Sequence, residues 1–340
     1  MKLAGGALAL VACALPPQQT PPKPPPERVA IVVAEGVGSG FRLVAIDEHG
    51  DRRFALIASG DHDTEPAISP DGKWIAFARR TGEHKQLFVA PLGAEQAARP
   101  LTDAIALDAS PAWTADGRTV VFASTRGGSF DLWRVSTAGG APEQLTFDAG
   151  HEVAPSVASD GTIYYTSVQQ VSADSAETRS WIAVRLPDGK THRVTEGPAD
   201  ASPAISPDGR LLAFVRRTGD APDHELVTLA LGVAGAEPLP LVRLPLTDES
   251  GPVWSRDGRF VLATSILRGD DGRPVFSSVI AIDRAERVAR ILEDRAGAAP
   301  RLSPAIAPVM LDAAALHADP EYLPELMRIV HRAIEKQVEQ

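Results

Sequence analysis

The chain has 340 residues, 44% of them hydrophobic and only 5% aromatic, enough to bury a large interior built mostly of Val, Leu, Ile and Ala. Its formal net charge is −10. That excess of acid disfavours a nucleic-acid backbone or an anionic membrane surface as partner, because both bind through a basic face.

Lys2 and the short apolar run 3–12 open the chain. The run is too short for a stable membrane span and suits a secretory signal peptide over residues 1–12. It ends in Leu10-Val11-Ala12-Cys13, which resembles a bacterial lipobox, and Cys13 is the protein's only cysteine. Lipidation at Cys13 is therefore expected, and one cysteine allows no internal disulfide or Cys-rich metal site. An ordinary signal peptide cut nearby is the plainer alternative. Residues 13–27 carry seven prolines. Extended at about 3.1 Å per residue, such a tether holds the rest of the chain about 40 Å from a membrane.

Residues 65–78, EPAISPDGKWIAFA, are the first clear copy of a phrase that returns at 110–124, 154–167, 202–215 and 251–264. Its Asp-Gly pairs begin at Asp71, Asp116, Asp160, Asp208 and Asp257, at intervals of 45, 44, 48 and 49 residues. Each copy reads as a short strand, a turn built on Asp and Gly, and a second, β-rich strand. Third strands are expected at 86–90, 131–136, 180–186, 225–231 and 277–283. Fourth strands are expected to close on Leu101-Thr102, Leu145-Thr146, Val194-Thr195 and Leu246-Thr247. Four strands per period of about 45 residues is the signature of a propeller blade.

The ends complement one another. Residues 28–34, 41–47 and 52–57 read as second, third and fourth strands with no first strand before them. Residues 301–306, RLSPAI, read as a first strand, with Ala307-Pro308 where Asp-Gly should come next. Pairing the two ends closes an all-β, six-bladed propeller over 28–308 and removes exposed sheet edges. A C-terminal extension, 309–340, holds an expected helix at 319–340 with Leu323, Leu326, Met327, Val330 and Ile334 on one face. That face either packs on the propeller or binds a partner.

These SPDG-type repeats resemble those of the TolB-like, WD40-like propeller family, whose namesake is the periplasmic propeller of the Tol–Pal system. The same repeat occurs in the propeller domains of prolyl oligopeptidase-family enzymes. The resemblance implies the fold and an envelope location, and with them a protein or peptide partner. The α/β domain that precedes the TolB propeller has no counterpart in these 340 residues, so the Tol role does not carry over whole.

An acid stands three residues before the proline of every clear copy: Asp63, Asp108, Glu152, Asp200 and Glu249, with Arg301 at the matching place before Pro304. First strands line a propeller's channel, so these six are the candidate binding residues of the channel mouth. Crowded carboxylates call for a cation among them, either a basic side chain of a partner or Ca²⁺. The competing account is structural: an acid before a turn accepts local hydrogen bonds. His62 and His151 beside ring acids bring a mixed metal site into view, although the eight histidines form no ligand pattern.

Two long loops, 169–179 and 266–275, interrupt the third and fifth copies. The second carries Asp270-Asp271-Gly272 without the spacing of an EF-hand. No Gly-x-Ser-x-Gly elbow is present, and Gly36–Gly40 does not match a dinucleotide fingerprint. The expectation is an exported, lipid-anchored, non-catalytic interaction module of the cell envelope. The alternatives are a metal-assisted glycan lyase or hydrolase, or a small-ligand sensor, working at the channel mouth. No cofactor is expected beyond that Ca²⁺.

Overall fold

The computed structural model describes residues 31–294 and 307–308, apart from 38–39, 47–52, 56–61, 93–97, 173–176, 198, 218–223, 243, 245–246 and 269–273. Cys13, the proline-rich tether, Arg301 and the expected C-terminal helix lie outside the described residues.

Each repeat forms an antiparallel sheet of four strands, and its turn shows why. In blade one the Ser69 hydroxyl donates to Asp71 Oδ1 at 2.5 Å and accepts the Trp74 N–H at 2.9 Å. Asp71 Oδ1 accepts the Lys73 N–H at 3.0 Å, and Gly72 N–H closes on Ser69 O at 2.8 Å. Gly72 takes φ +71°, which glycine adopts without a Cβ clash. The Thr114–Asp116, Ser206–Asp208 and Ser255–Asp257 turns repeat the hydroxyl-to-carboxylate bond. Those hydroxyls, and then the backbone N–H two residues on, hold the carboxyls of Asp71, Asp116 and Asp208 below the usual range.

Five blades use consecutive strands: 63–100, 108–144, 151–193, 200–240 and 247–294. A sixth four-stranded sheet pairs Ala307–Pro308 with Ile31–Val37, Gly40–Ile46 and Arg53–Ala55. Its closing register is Ile31 opposite Pro308 and Val32 opposite Ala307. The closing strand is thus described at Ala307–Pro308, where the sequence placed a turn; 301–306, expected to form it, lie outside the described residues. The two-residue segment touches the inner strands of both blade five and blade one, which completes the circuit of inner strands. All described regular structure is β, and no helix occurs among the described residues.

Alternate side chains of the second strands face opposite neighbours, so five of the seams are seen to be apolar. Val120 and Phe122 pack with Ala76, Ala78 and Leu87 of blade one, while Val121 joins Ile163 and Tyr165 of blade three. Val32 and Leu43 of the composite sheet pack on Ile75, Phe77 and Ala90. Burial on both faces explains why the run Ile75–Ala78 is apolar at every position.

The expected fourth strands need correction. The strands end earlier, at Arg99–Pro100, Glu143–Gln144 and Thr191–Arg193. The apolar-Thr pairs come after them as clasps. Leu101 N–H donates to Leu87 O at 2.7 Å, and the Thr102 hydroxyl accepts the Leu87 N–H at 3.0 Å. Leu145-Thr146 clasps Leu132 and Val194-Thr195 clasps Ile182 in the same way. In blade four the fourth strand is Leu239–Pro240 and Leu241 makes the backbone half of the clasp, whereas Thr247 already belongs to the inner strand of blade five.

In the five consecutive blades the inner strand bulges at the residue before its proline. The register shifts between Thr64 and Ala67, Ala109 and Ala112, Val153 and Ser156, Ala201 and Ala204, and Ser250 and Val253. The residues at the bulge are left-handed: Glu65 (φ 52°), Ser110 (51°), Ala154 (51°), Ser202 (53°) and Gly251 (59°). Only blade five uses glycine there. Ala154→Gly should therefore raise unfolding stability by about 1 kcal/mol, because alanine pays for a left-handed backbone. Ala67→Gly, two positions past a bulge, should instead lower it by about 1 kcal/mol. Urea denaturation of the two variants checks the sign of each.

Candidate functional site

The five ring acids lie at the start of the inner strands, at the end of the propeller opposite the Asp-Gly turns. Their side chains are buried: Asp63, Asp108, Glu152 and Asp200 expose nothing and Glu249 exposes 3%. The bulge two residues on breaks the alternation by which the sequence aimed them at the channel. The half-buried bulge residues Glu65, Ser110, Ala154, Ser202 and Gly251 stand two positions after each acid.

Three of the acids hold arginines. Asp63 lies opposite Arg79 in the register, and the guanidinium binds it with two prongs, at 2.6 and 2.9 Å. Asp200 lies opposite Arg216, at 2.7 and 2.8 Å. The bond to Asp200 pushes the Arg216 pKa above its ordinary value. Asp108 takes Arg126 Nη2 on both oxygens at 2.9 Å and the Thr102 hydroxyl at 2.5 Å, so the clasp threonine also serves the acid. Each guanidinium lies near aromatic rings: Arg79 is 4.6 Å from the Phe88 centroid, Arg126 5.5 Å from Phe122, and Arg216 5.5 Å from Phe214. Gly197 closes over Asp200 so tightly that a Cβ there would meet the carboxylate at 2.5 Å.

The two glutamates differ. Opposite them stand Ser167 and Ser265, not arginine. Glu249 accepts the Thr247 hydroxyl at 2.5 Å and the Ser265 hydroxyl at 3.3 Å. Burial, and then the charges of Asp248 and Glu225, push its pKa up to about 8. Glu152 receives no hydrogen bond on either oxygen. Burial, and then the charges of Asp148 and Asp131, push it up to about 8 as well.

The arginines escaped the sequence reading, although a signal was there. Arginine stands sixteen residues after the acid in blades one and four, and eighteen after it in blade two. For these three acids the donors are arginine side chains, not the backbone N–H groups that the structural account expected. His62 is exposed, and His151 Nδ1 accepts the Phe130 N–H at 3.2 Å. Among the described residues no three His, Cys, Asp or Glu side chains gather as metal ligands. Of the long loops, 266–268 and 274–275 are strand, which leaves 269–273 outside the described residues.

The same end carries exposed apolar side chains on successive inter-blade connections, Ile105 at 65% and Phe147 at 76% exposed, with exposed Asp148 beside Phe147. At the turn end, Asp208, Arg256, Asp257 and Arg284 line a groove of about 320 Å³ between blades four and five. Arg256 also reaches the Pro70 carbonyl of blade one.

A closed circuit of four-stranded sheets with buried acid–arginine locks defines a β-propeller. Residues 27–257 match the TolB beta propeller domain family, and the chain belongs to that family. It is 26% identical over 178 residues to Uncharacterized protein Atu1656 of Agrobacterium fabrum, covering 52% of this chain and 57% of that relative. TolB from Acinetobacter baumannii superposes with a TM-score of 0.65 at 18% identity, over 82% of this chain and 66% of that one. A TolB-designated protein of Agrobacterium tumefaciens gives 0.62 at 17% identity, over 79% and 90%. At these identities the two structures speak for the fold alone. The chain thus spans about six-tenths of the Agrobacterium fabrum relative and two-thirds of the Acinetobacter protein.

Proposed function

We propose that this protein is an exported, lipid-anchored interaction module of the bacterial envelope, and that it binds a protein or peptide without catalysis. One observation carries the reading. The carboxylates that an enzyme at this mouth would use are buried, and three of them are committed to arginines within their own blades. What this end offers a partner is a rigid rim with exposed Ile105, Phe147 and Asp148. An apolar segment bearing a basic residue fits that rim, and binding it would be salt-sensitive. The lipobox-like run before Cys13 and the tether after it support the location. Among the described residues no helix is long and apolar enough to cross a membrane.

Co-purification from membranes tests the reading. The wild type should retain a stoichiometric envelope protein that salt releases, and Ile105→Asp with Phe147→Asp should lose it at an unchanged melting temperature. Mass spectrometry should find a mature chain starting at lipidated Cys13. An unmodified start elsewhere would overturn the anchor. A stoichiometric transition metal together with glycan turnover would overturn the non-catalytic reading.

A further inference from the structure

We propose that Glu152 and Asp131 share one proton across the seam between blades two and three, and that this proton locks the seam. Asp131 opens the third strand of blade two, and Glu152 lies in the inner strand of blade three. The Glu152 N–H donates to Phe130 O at 2.7 Å, so the two chains are stitched together beside the carboxyls. Glu152 exposes nothing and Asp131 3%. Both Glu152 oxygens and Asp131 Oδ1 lack a hydrogen-bond donor.

The sister blades show what is missing. At the equivalent place three blades supply a guanidinium and blade five supplies two hydroxyls. Blade three supplies no guanidinium, Ser167 opposite Glu152 gives it no hydrogen bond, and Asp131 of blade two adds a second acid at the seam. Two carboxylates walled off from water cannot both hold their charge without a cation. A proton on one, donated to the other, gives Asp131 Oδ1 its missing donor and leaves a single charge.

The groups around the pair favour that proton. Asp148, on the connection 145–151, adds negative charge, and Tyr165 of the neighbouring strand is itself held neutral by burial and by these acids. Arg185 is the cation nearby, and its Nε donates to Leu145 O at 3.0 Å. His151 spends Nδ1 on the Phe130 N–H. Ser129 donates to the other Asp131 oxygen at 3.2 Å, which leaves Oδ1 unserved. Asp131 is pushed up by burial, as Glu152 is to about 8.

The sign comes from linkage. A carboxyl whose folded pKa is raised binds more protons folded than unfolded. Its stabilising contribution is full below the unfolded value and is lost as pH rises through the folded value. The seam is locked in acid and loosens towards pH 8, freeing the connection that carries Phe147.

Hydrogen exchange and infrared spectroscopy on the full chain test this, in a Glu249→Gln background that silences the other glutamate. A protonated-carboxyl stretch should be present at pH 7 and vanish above pH 8. Protection of the Glu152 amide, corrected for intrinsic exchange, should fall by about tenfold per pH unit between pH 5 and 8. Adding Glu152→Gln should abolish both the band and the slope. If that variant fails to fold, Asp131→Asn serves, because it removes the neighbouring charge that holds the proton on Glu152 and should end the same slope at a lower pH. A missing band at pH 7, a slope that survives Glu152→Gln, or a slope that Asp131→Asn leaves unmoved would overturn the shared proton. So would a bound metal ion found in its place.

Discussion

Replacing Arg216 with methionine should cost about 3–5 kcal/mol of unfolding free energy, a large loss for a single polar side chain. The reason is what remains behind. Asp200 exposes nothing and would keep a charge inside the protein without the two-pronged bond at 2.7 and 2.8 Å. Methionine preserves the packing against Phe214, so the loss reports the orphaned carboxylate rather than a cavity. Asp200→Asn should cost less, about 1–2 kcal/mol, because Arg216 is about a quarter exposed and reaches solvent once released. The double variant Asp200→Asn with Arg216→Met should recover most of the single loss, since no buried charge remains. Chemical denaturation of the four proteins gives the coupling. If Arg216→Met loses less than about 1 kcal/mol, the acids are not locks, and their place beside the channel needs another account.

Features carried by neighbouring residues were legible in the sequence. Asp71-Gly72 and its four copies fix the turn and, through their spacing, the blade. The pairing of the two ends was legible too, because each lacked what the other supplied, and Ala307–Pro308 does pair with Ile31 and Val32. The orientation of the ring acids was not legible. Strict alternation puts Asp63 and Glu65 on one face, and only the left-handed backbone at Glu65 separates them. A left-handed residue before proline has no local signature when the position holds Glu, Ser or Ala. The arginine locks were hidden for a different reason. Asp63 meets Arg79 across a hairpin, so the pairing shows only when strand register is known. The apolar-Thr clasps lie a residue or two past the strands they were taken to close, because their bonds to Leu87, Leu132 and Ile182 resemble strand pairing.

The difference between the aspartate and glutamate blades yields the second large effect, which depends on pH. Glu249 exposes 3% and has two hydroxyl donors but no cation, and burial raises its pKa to about 8. Unfolded, the same carboxyl titrates near the ordinary glutamate value of about 4.3. The folded chain therefore holds a proton that the unfolded chain releases. Stability is greatest below the unfolded value and falls as pH rises, levelling once pH passes the folded value. Glu249→Gln presents a neutral side chain of similar shape at every pH and removes that slope. The variant should match the wild type within about 1 kcal/mol at pH 5 and exceed it by about 3 kcal/mol at pH 8, each pH unit of the interval being worth about 1.4 kcal/mol at most. Urea unfolding at the two pH values measures both. If Glu249→Gln is no more stable than the wild type at pH 8, Glu249 is ionised within the fold, and a cation must reach it by a route other than the arginines of its sister blades.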